Sequence, residues 1–530
     1  MIFTSYEFIF FLVIIFALYY TIPKKFQWIL LLIASYVFYA YAGVKFLIYI
    51  LITTVSTYLF SFKIGRIHEE QELYLKQNKG ILSRKERKAF KEGMKSKRFR
   101  LLVLCLVINF GILAIIKYTN FVIANINTVF DALGRGGGLS FMNFAVPLGI
   151  SFYTFQTMGY IIDVYRGKYP YEKNVFKLAL FTAFFPQLIQ GPISRFDDLK
   201  ETMFKEHSFD SHNISFGLQR IIWGYFKKIV IADRLLSGVT TIVGDPEAYQ
   251  GVYVLLGMFF YAIQLYADFT GGIDITIGIG QIFGIKVQEN FIRPYFSKSV
   301  TEYWRRWHIS LGSWFRDYMF YPISVSGPML KLSKFSRKHL GDGIGKRLPV
   351  YISSIIVWFT TGIWHGAAWN FIVWGLLNCL VILISQELEP LYEKFHNRFD
   401  VKGNLSFRMF QVLRTFWIMS FIRILDCYRD VGTTFRMYGT IFTKFNFMEL
   451  FRGGLLEVGL SISDYIVLIP AVLLMLMVSL IGRRKSVREI LADRPQVVRY
   501  VAYTAIIFGI IIFGAYGIGY DSSQFIYSQF

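Results

Sequence analysis

The stretch Thr361 to Asn370, TGIWHGAAWN, sets one histidine between two tryptophans, with an apolar run from Tyr351 to Thr360 before it and another from Phe371 to Ile384 after it. A second histidine, His308, stands among aromatic residues in TEYWRRWHISLGSWF. The other five, His68, His207, His212, His339 and His396, lie in charged, loop-like stretches and read as solvated. An ionisable ring in apolar surroundings is costly and reads by default as functional. For a single ring the competing reading is a structural hydrogen bond to a backbone carbonyl. Two such rings in one region weigh toward chemistry. Burial favours the neutral imidazole, which can accept a proton as a general base does.

Other catalytic templates are missing. There is no G-x-S-x-G elbow, no Walker A lysine loop and no H-E-x-x-H helix. Cys105, Cys379 and Cys427 show no C-x-x-C spacing, which argues against a metal site and against a disulfide framework. The glycines of GIGQIFG (278–284) follow no strand and read as close helix packing, and Gly134 to Gly138 as a flexible loop. Asp268, Asp274, Glu289, Glu302 and Asp317 are matched nearby by Arg293, Arg305, Arg306 and Arg316. Mutual pairing is the structural reading. The functional reading makes the arginines a cationic mouth for a phosphate-bearing donor, which guanidinium geometry suits. Arg423, alone in FWIMSFIRIL, fits either purpose.

The elements that position these residues must sit in a membrane. The chain has 530 residues, 54% hydrophobic and 18% aromatic, with a mean hydropathy of +0.44. Leu101 to Ile116, Tyr351 to Trp374, Tyr465 to Ile481 and Tyr500 to Gly519 are apolar runs near the roughly 17–25 residues that span hydrocarbon. The first run, Phe8 to Tyr20, has no basic residue before it and reads as a retained helix rather than a signal peptide. The formal charge of +22 concentrates between apolar runs, at Lys76 to Arg100, Lys331 to Arg347 and Arg483 to Arg499. That placement marks cytoplasmic loops that can also hold anionic lipid headgroups, rather than a nucleic-acid site. By parity both termini are expected outside the cytoplasm.

The expected fold is an all-α polytopic membrane protein of about ten or eleven spanning helices. Residues 1–140 form N-terminal helices with a basic insert at about 63–100. Residues 141–386 form a core whose apolar runs are broken by Gly, Pro and charge, as in FFPQLIQGPISRF and YADFTGGIDITIGIG. Broken backbone at membrane depth survives only inside protein or along a wet cavity, so the site and re-entrant helices are expected there. Ser299 to Ile323 fits an amphipathic interfacial helix. Residues 387–530 supply C-terminal helices and a tail. No 20–50-residue repeat is visible.

The run YADFTGGIDITIGIGQIFGIKVQENFIRPYFSKSVTEYWRRWHISLGSWFRDYMFYPI, followed by TTGIWHGAAWNFIVWG, closely resembles the membrane-bound O-acyltransferase family in its alginate-acetylation-type bacterial branch. The resemblance extends in order from FLVIIFALYYTIP through PLGISFYTFQTMGYIIDVYRG and FPQLIQGPISR to the terminal FIYSQF. It implies a ring of tilted helices around a transmembrane tunnel, with an acyl thioester entering from the cytoplasm and an acceptor on the other side. The family's signature histidine falls on His365 and a second catalytic position on His308. Trp364 and Trp369 would wall the tunnel, and Asn370, Asp268, Asp274 and Trp304 would support it. Arg305, Arg306 and Arg316 are donor-binding candidates.

The usual DFSGYSD pattern is replaced by DFTGGID, Asp268 to Asp274, which keeps both aspartates. The tail resembles the C-terminal motif of polysaccharide-modifying members, making Tyr527 a candidate acyl relay or a partner-docking ring. The implied donor is acetyl-CoA, with no metal. The implied partners are a secreted or membrane-anchored SGNH-type acetyltransferase and a polysaccharide acceptor, in the bacterial cytoplasmic membrane. Competing readings are D-alanyl transfer from an acylated carrier protein, a transporter with a histidine proton relay, and an inactive scaffold. The transporter would show inverted repeats, and the scaffold would tolerate loss of His365.

Overall fold

The computed structural model describes residues 1–516 apart from Gly136 and Lys402, so Tyr527 lies outside the described residues. Every regular element among the described residues is a helix. Seven helices are long and apolar enough to cross a membrane: Val44–Gln77, Arg84–Ala132, Val252–Ile282, Gly327–His365, Trp369–Glu387, Ile462–Ile481 and Gln496–Phe513. Shorter apolar helices, Tyr6–Thr21 and Val175–Gln190, account for part of the larger number expected from the sequence. The chain is a multi-pass membrane protein. It divides into two compact units, Met1–Ile214 with Gly280–Val287, and Ser215–Ile279 with the residues from Gln288 onward.

In the first unit the basic insert is folded. The Leu47–Gln77 and Arg84–Ala132 helices have 31 and 49 residues, or about 46 and 74 Å, well beyond a hydrocarbon layer of roughly 30 Å. Their excess length forms a polar helical hairpin. Ser83 and Glu86 cap the second helix reciprocally, at 3.2 and 2.9 Å. The Tyr74 and Phe90 rings meet at 4.2 Å across the hairpin, and Arg98 donates to Gln71 at 3.0 Å. The broken stretch FFPQLIQGPISRF becomes the short Phe185–Gln190 helix, whose six residues are all buried. Gln187 holds the following irregular backbone by donating to Ser194 Oγ at 2.7 Å and to the Pro192 carbonyl at 3.1 Å. Broken backbone is buried in protein here, as its polarity demands.

In the second unit the Ser211–Tyr225 and Asp233–Gly244 helices are joined by a π-helical turn, Phe226–Ala232. They pack on Val252–Ile282 with small residues at the contact. A Cβ on Gly278 would come within 2.7 Å of the Gly217 carbonyl oxygen, which is the close packing expected of GIGQIFG. Gly327–His365 consists of two helical pieces meeting at Gly341, where φ is +83°. The second piece packs against Trp369–Glu387. A Cβ on Gly375 would lie 2.4 Å from the Trp358 carbonyl oxygen, and no rotamer change relieves a backbone contact. Gly375→Ala is therefore expected to cost about 1–3 kcal/mol, read as a lower unfolding temperature in detergent. An unchanged unfolding temperature would show that this helix pair can open without loss.

Candidate active site

Three elements of the second unit converge. The first is the hairpin turned at Gly366–Ala368, with His365 closing one helix and Trp369 opening the next. His365 is buried, and its ring stands 4.5 Å from Trp374 and 5.1 Å from Trp364 in edge-on contacts. The second element is the Val300–Arg306 helix, capped by Ser299 through the Glu302 amide at 3.1 Å. It ends at Trp307, and His308 follows with φ +47° and ψ 54°. That left-handed conformation is uncommon for a residue with a Cβ. Strain of this kind persists only where surroundings enforce it. Asn290 does so: its carbonyl accepts from the Ile309 amide at 3.0 Å and its Oδ1 from the Ser310 amide at 2.9 Å.

The same side chain sets the state of His308. Asn290 Nδ2 lies 3.2 Å from Nδ1 of the buried imidazole. His308 stands outside the seven membrane-crossing helices. Burial first, and the Arg423 guanidinium second, push its pKa down to about 3. A neutral ring whose Nδ1 accepts from Asn290 carries its proton on Nε2. The His308 ring is 6.1 Å from Trp364, so one indole touches both histidines.

The third element, Leu405–Tyr428, brings Arg423 and Asp426. Arg423 is buried with its guanidinium 4.6 Å from the Trp307 ring and 5.4 Å from both Trp304 and Trp374. Its Nη1 is 3.5 Å from Asp426 Oδ2, while Nε and Nη2 have no acceptor among the described residues. Aromatic faces take that place, which suits a planar, weakly hydrated cation. Through Trp307 and Trp374 this one side chain braces the neighbours of both histidines. Asp426 is three residues away on the same helix, but the three indoles around Arg423 lie far along the chain, so its surroundings are not legible in the sequence.

A cavity of about 460 Å³ has His308, Trp304, Ser313 and Thr361 in its wall and the exposed Arg305 and Arg316 at its rim. That volume falls in the range of small-molecule sites. His365 lies one turn beyond Thr361 and does not line this space. The arrangement offers a neutral imidazole in the wall of a cavity with cations at its rim, and a second imidazole across an indole from it.

The sequence comparisons bear on this chemistry. Residues 170–337 match the model of MBOAT, the membrane-bound O-acyltransferase family. The chain is 32% identical over 480 residues to a probable alginate O-acetylase AlgI of Pseudomonas aeruginosa, covering 88% of this chain and 81% of that one. The chain belongs to the membrane-bound O-acyltransferase family. It is also 30% identical over 393 residues to a peptidoglycan O-acetyltransferase of Helicobacter pylori, with 69% and 66% covered. A teichoic acid D-alanyltransferase of Bacillus subtilis is 29% identical over 255 residues, with 47% and 61% covered.

For this membrane O-acyltransferase, several site expectations are altered by where the residues fall. Trp369 is 57% exposed at the start of its helix. Trp374, five residues on and so about 140° around the axis, is the ring against His365. Trp304 is in place, donating from Nε1 to Asn378 Oδ1 at 3.1 Å. Asn370 donates to the Leu425 carbonyl at 3.0 Å and ties the hairpin to the Arg423 helix. Arg306 is taken by Glu302 at 2.5 Å and is absent from the cavity wall. Arg316 lines the cavity while pairing with Asp317 at 2.9 Å.

Asp268 and Asp274 are not paired with the downstream arginines. Lys228 meets Asp268 at 2.6 Å and Asp233 at 2.7 Å. Lys227 meets Asp274 at 2.6 Å, and Arg220 meets Asp274 at 2.9 Å and Glu289 at 2.5 Å. The widened turn at Phe226–Ala232 directs two consecutive lysines to one neighbouring helix. Sequence analysis overlooked Arg220, Lys227 and Lys228. Their spacing of seven and eight residues, one helical face, was the available signal.

Proposed function

We propose that this protein moves acetyl groups from cytoplasmic acetyl-CoA across the bacterial cytoplasmic membrane for O-acetylation of an exported or cell-wall polysaccharide. The observation that carries the reading is the pair of buried histidines on one tryptophan, one of them lining a cavity rimmed by Arg305 and Arg316. The names of the relatives, an alginate O-acetylase and a peptidoglycan O-acetyltransferase, support an acetyl group and a polysaccharide destination.

Arg305 and Arg316 hold the donor's phosphates, and the thioester reaches toward His308. His365 takes the proton of the acceptor hydroxyl as its oxygen attacks the thioester carbonyl. His308 Nε2–H donates to the oxyanion as it forms. The carbon–sulfur bond then breaks, and His365 passes that proton to the leaving sulfur, which departs as the free thiol. The acceptor is the Tyr527 phenol, from which a secreted or membrane-anchored SGNH-type partner passes the acetyl group to the polysaccharide. Both termini lie outside the cytoplasm in this scheme.

Base-labile acetate on exported polysaccharide, measured in cells lacking the chain and complemented with each form, tests it. The native chain is expected to restore acetate, while His365→Ala and Tyr527→Phe are not. Restoration by His365→Ala would remove the enzyme reading, and restoration by Tyr527→Phe would remove the relay alone. Base-released D-alanine in place of acetate would move the chemistry to the D-alanyl branch.

A further inference from the structure

The cavity beside His308 has in its wall a glycine that the fold does not require. Gly312 lies inside the Ile309–Phe315 helix, which continues into the turn Arg316–Phe320, and a helix-interior glycine is destabilising relative to alanine. Other glycines of this unit are imposed by the chain. A Cβ would come within 2.5 Å of the Phe371 carbonyl oxygen at Gly362 and within 2.4 Å of the Trp358 carbonyl oxygen at Gly375. At Gly312 an added Cβ meets only the Trp304 carbonyl oxygen, at 3.6 Å, which is ordinary van der Waals contact. The residue is exposed and lines the cavity, so a longer side chain there takes up cavity space.

Its place in that wall is specific. His308, Gly312 and Arg316 follow one another at four-residue spacing, and all three line the cavity. The Gly312 amide donates to the His308 carbonyl at 3.1 Å, which joins the imidazole-bearing residue to this helical row. Ser354, Trp358 and Thr361 of Gly327–His365 line the same space. The Ser313, Ser354 and Thr361 hydroxyls each donate to a carbonyl of their own helix at 2.8 Å. Among the described residues of the wall only Arg305 and Arg316 are charged. The eight residues from His308 to Arg316 rise roughly 12 Å. A molecule with an anion at the rim and its reacting carbonyl at His308 must cross that distance as a slender, uncharged arm.

We infer, resting on the acyl-transfer reading in which Arg305 and Arg316 hold the donor's phosphates, that Gly312 is a specificity-determining residue for the donor. The uncharged arm between phosphate and thioester lies across its bare Cα, and a side chain there closes the passage. The substrate class is a phosphopantetheine thioester, whose arm is common to coenzyme A and to an acylated carrier protein.

Gly312→Cys in the full chain in nanodiscs gives a readout independent of turnover. The native cysteines are buried or half-buried, so maleimide labelling of Gly312→Cys is read by intact mass against the native chain. S-methyl coenzyme A, or a carrier protein bearing the S-methylated arm, is expected to slow labelling about tenfold at about ten times its Kd, and the thioether that protects identifies the source. Adenosine 3′,5′-bisphosphate, which has phosphates but no arm, is expected to leave labelling unchanged. In turnover, Gly312→Leu should raise the KM for acetyl-CoA about tenfold and that for S-methyl thioacetate, which has no arm, by less. Gly312→Ala should fall between Gly312→Leu and the native chain. Labelling unchanged by both thioethers, equal protection by the bisphosphate, or a native KM in a folded Gly312→Leu protein would overturn the inference. A native chain that consumes no acetyl-CoA contradicts the acetyl donor alone; protection by the carrier arm then still supports the passage over Gly312, and its absence overturns it.

Discussion

His365→Ala is expected to lower acyl transfer by about 10²–10⁴-fold, the contribution of a positioned general base, with the unfolding temperature nearly unchanged. The separation of effects follows from position. His365 is the last residue of its helix, and among its contacts are edge-on ones to Trp364 and Trp374, the latter also held by the Arg423 stack and by packing with Ile422 and Leu425. His308→Gln is expected to lose less than His308→Ala, because the amide retains a hydrogen-bond donor in the cavity wall. The two assays are turnover of a labelled acyl thioester and thermal unfolding in the same detergent. A His365→Ala protein that unfolds early would reassign the ring to structure.

Arg423→Leu is expected to destabilise the protein by about 3–5 kcal/mol, because it leaves the Asp426 carboxylate buried without its cation. Arg423→Lys keeps the charge but not the planar contact with three indoles, and is expected to cost about 1–2 kcal/mol. In that variant the turnover number should fall more than the thioester KM rises, since Arg423 braces the histidine neighbours and does not line the His308 cavity. Asp426→Asn combined with Arg423→Leu should recover part of the loss, which a double-mutant cycle in thermal unfolding would register. Full activity and stability in Arg423→Lys would show that charge alone suffices and that the stack has no role.

Much of this arrangement is legible in one dimension because hydrocarbon imposes a simple rule. Apolar runs such as Ile462–Ile481 and Val252–Ile282 announce themselves, and so does an imidazole placed among indoles. The break at Gly366 between two apolar runs is equally local, and it is where the structure turns. What the sequence does not carry in its spacing is long-range pairing. Asp268 finds Lys228 across 40 residues and Asp274 finds Arg220 across 54, while Arg306 and Arg316 downstream pair with Glu302 and Asp317. Arg306 shows the converse: its i,i+4 neighbour Glu302 pairs with it locally. Trp369 and Trp374 differ only in helical phase, which depends on where the helix begins. The insert stands out in the sequence by its charge, yet its fold follows from length, since helices of 31 and 49 residues must project beyond the membrane.

A two-histidine site that consumes an acetyl thioester is tested most directly with the purified chain in nanodiscs and acetyl-labelled acetyl-CoA. Release of free coenzyme A by the native protein, lost in His365→Ala while the variant remains folded, is the predicted result. Equal release by both proteins would contradict the role of His365. Consumption of an acylated carrier protein but not of acetyl-CoA would contradict the donor.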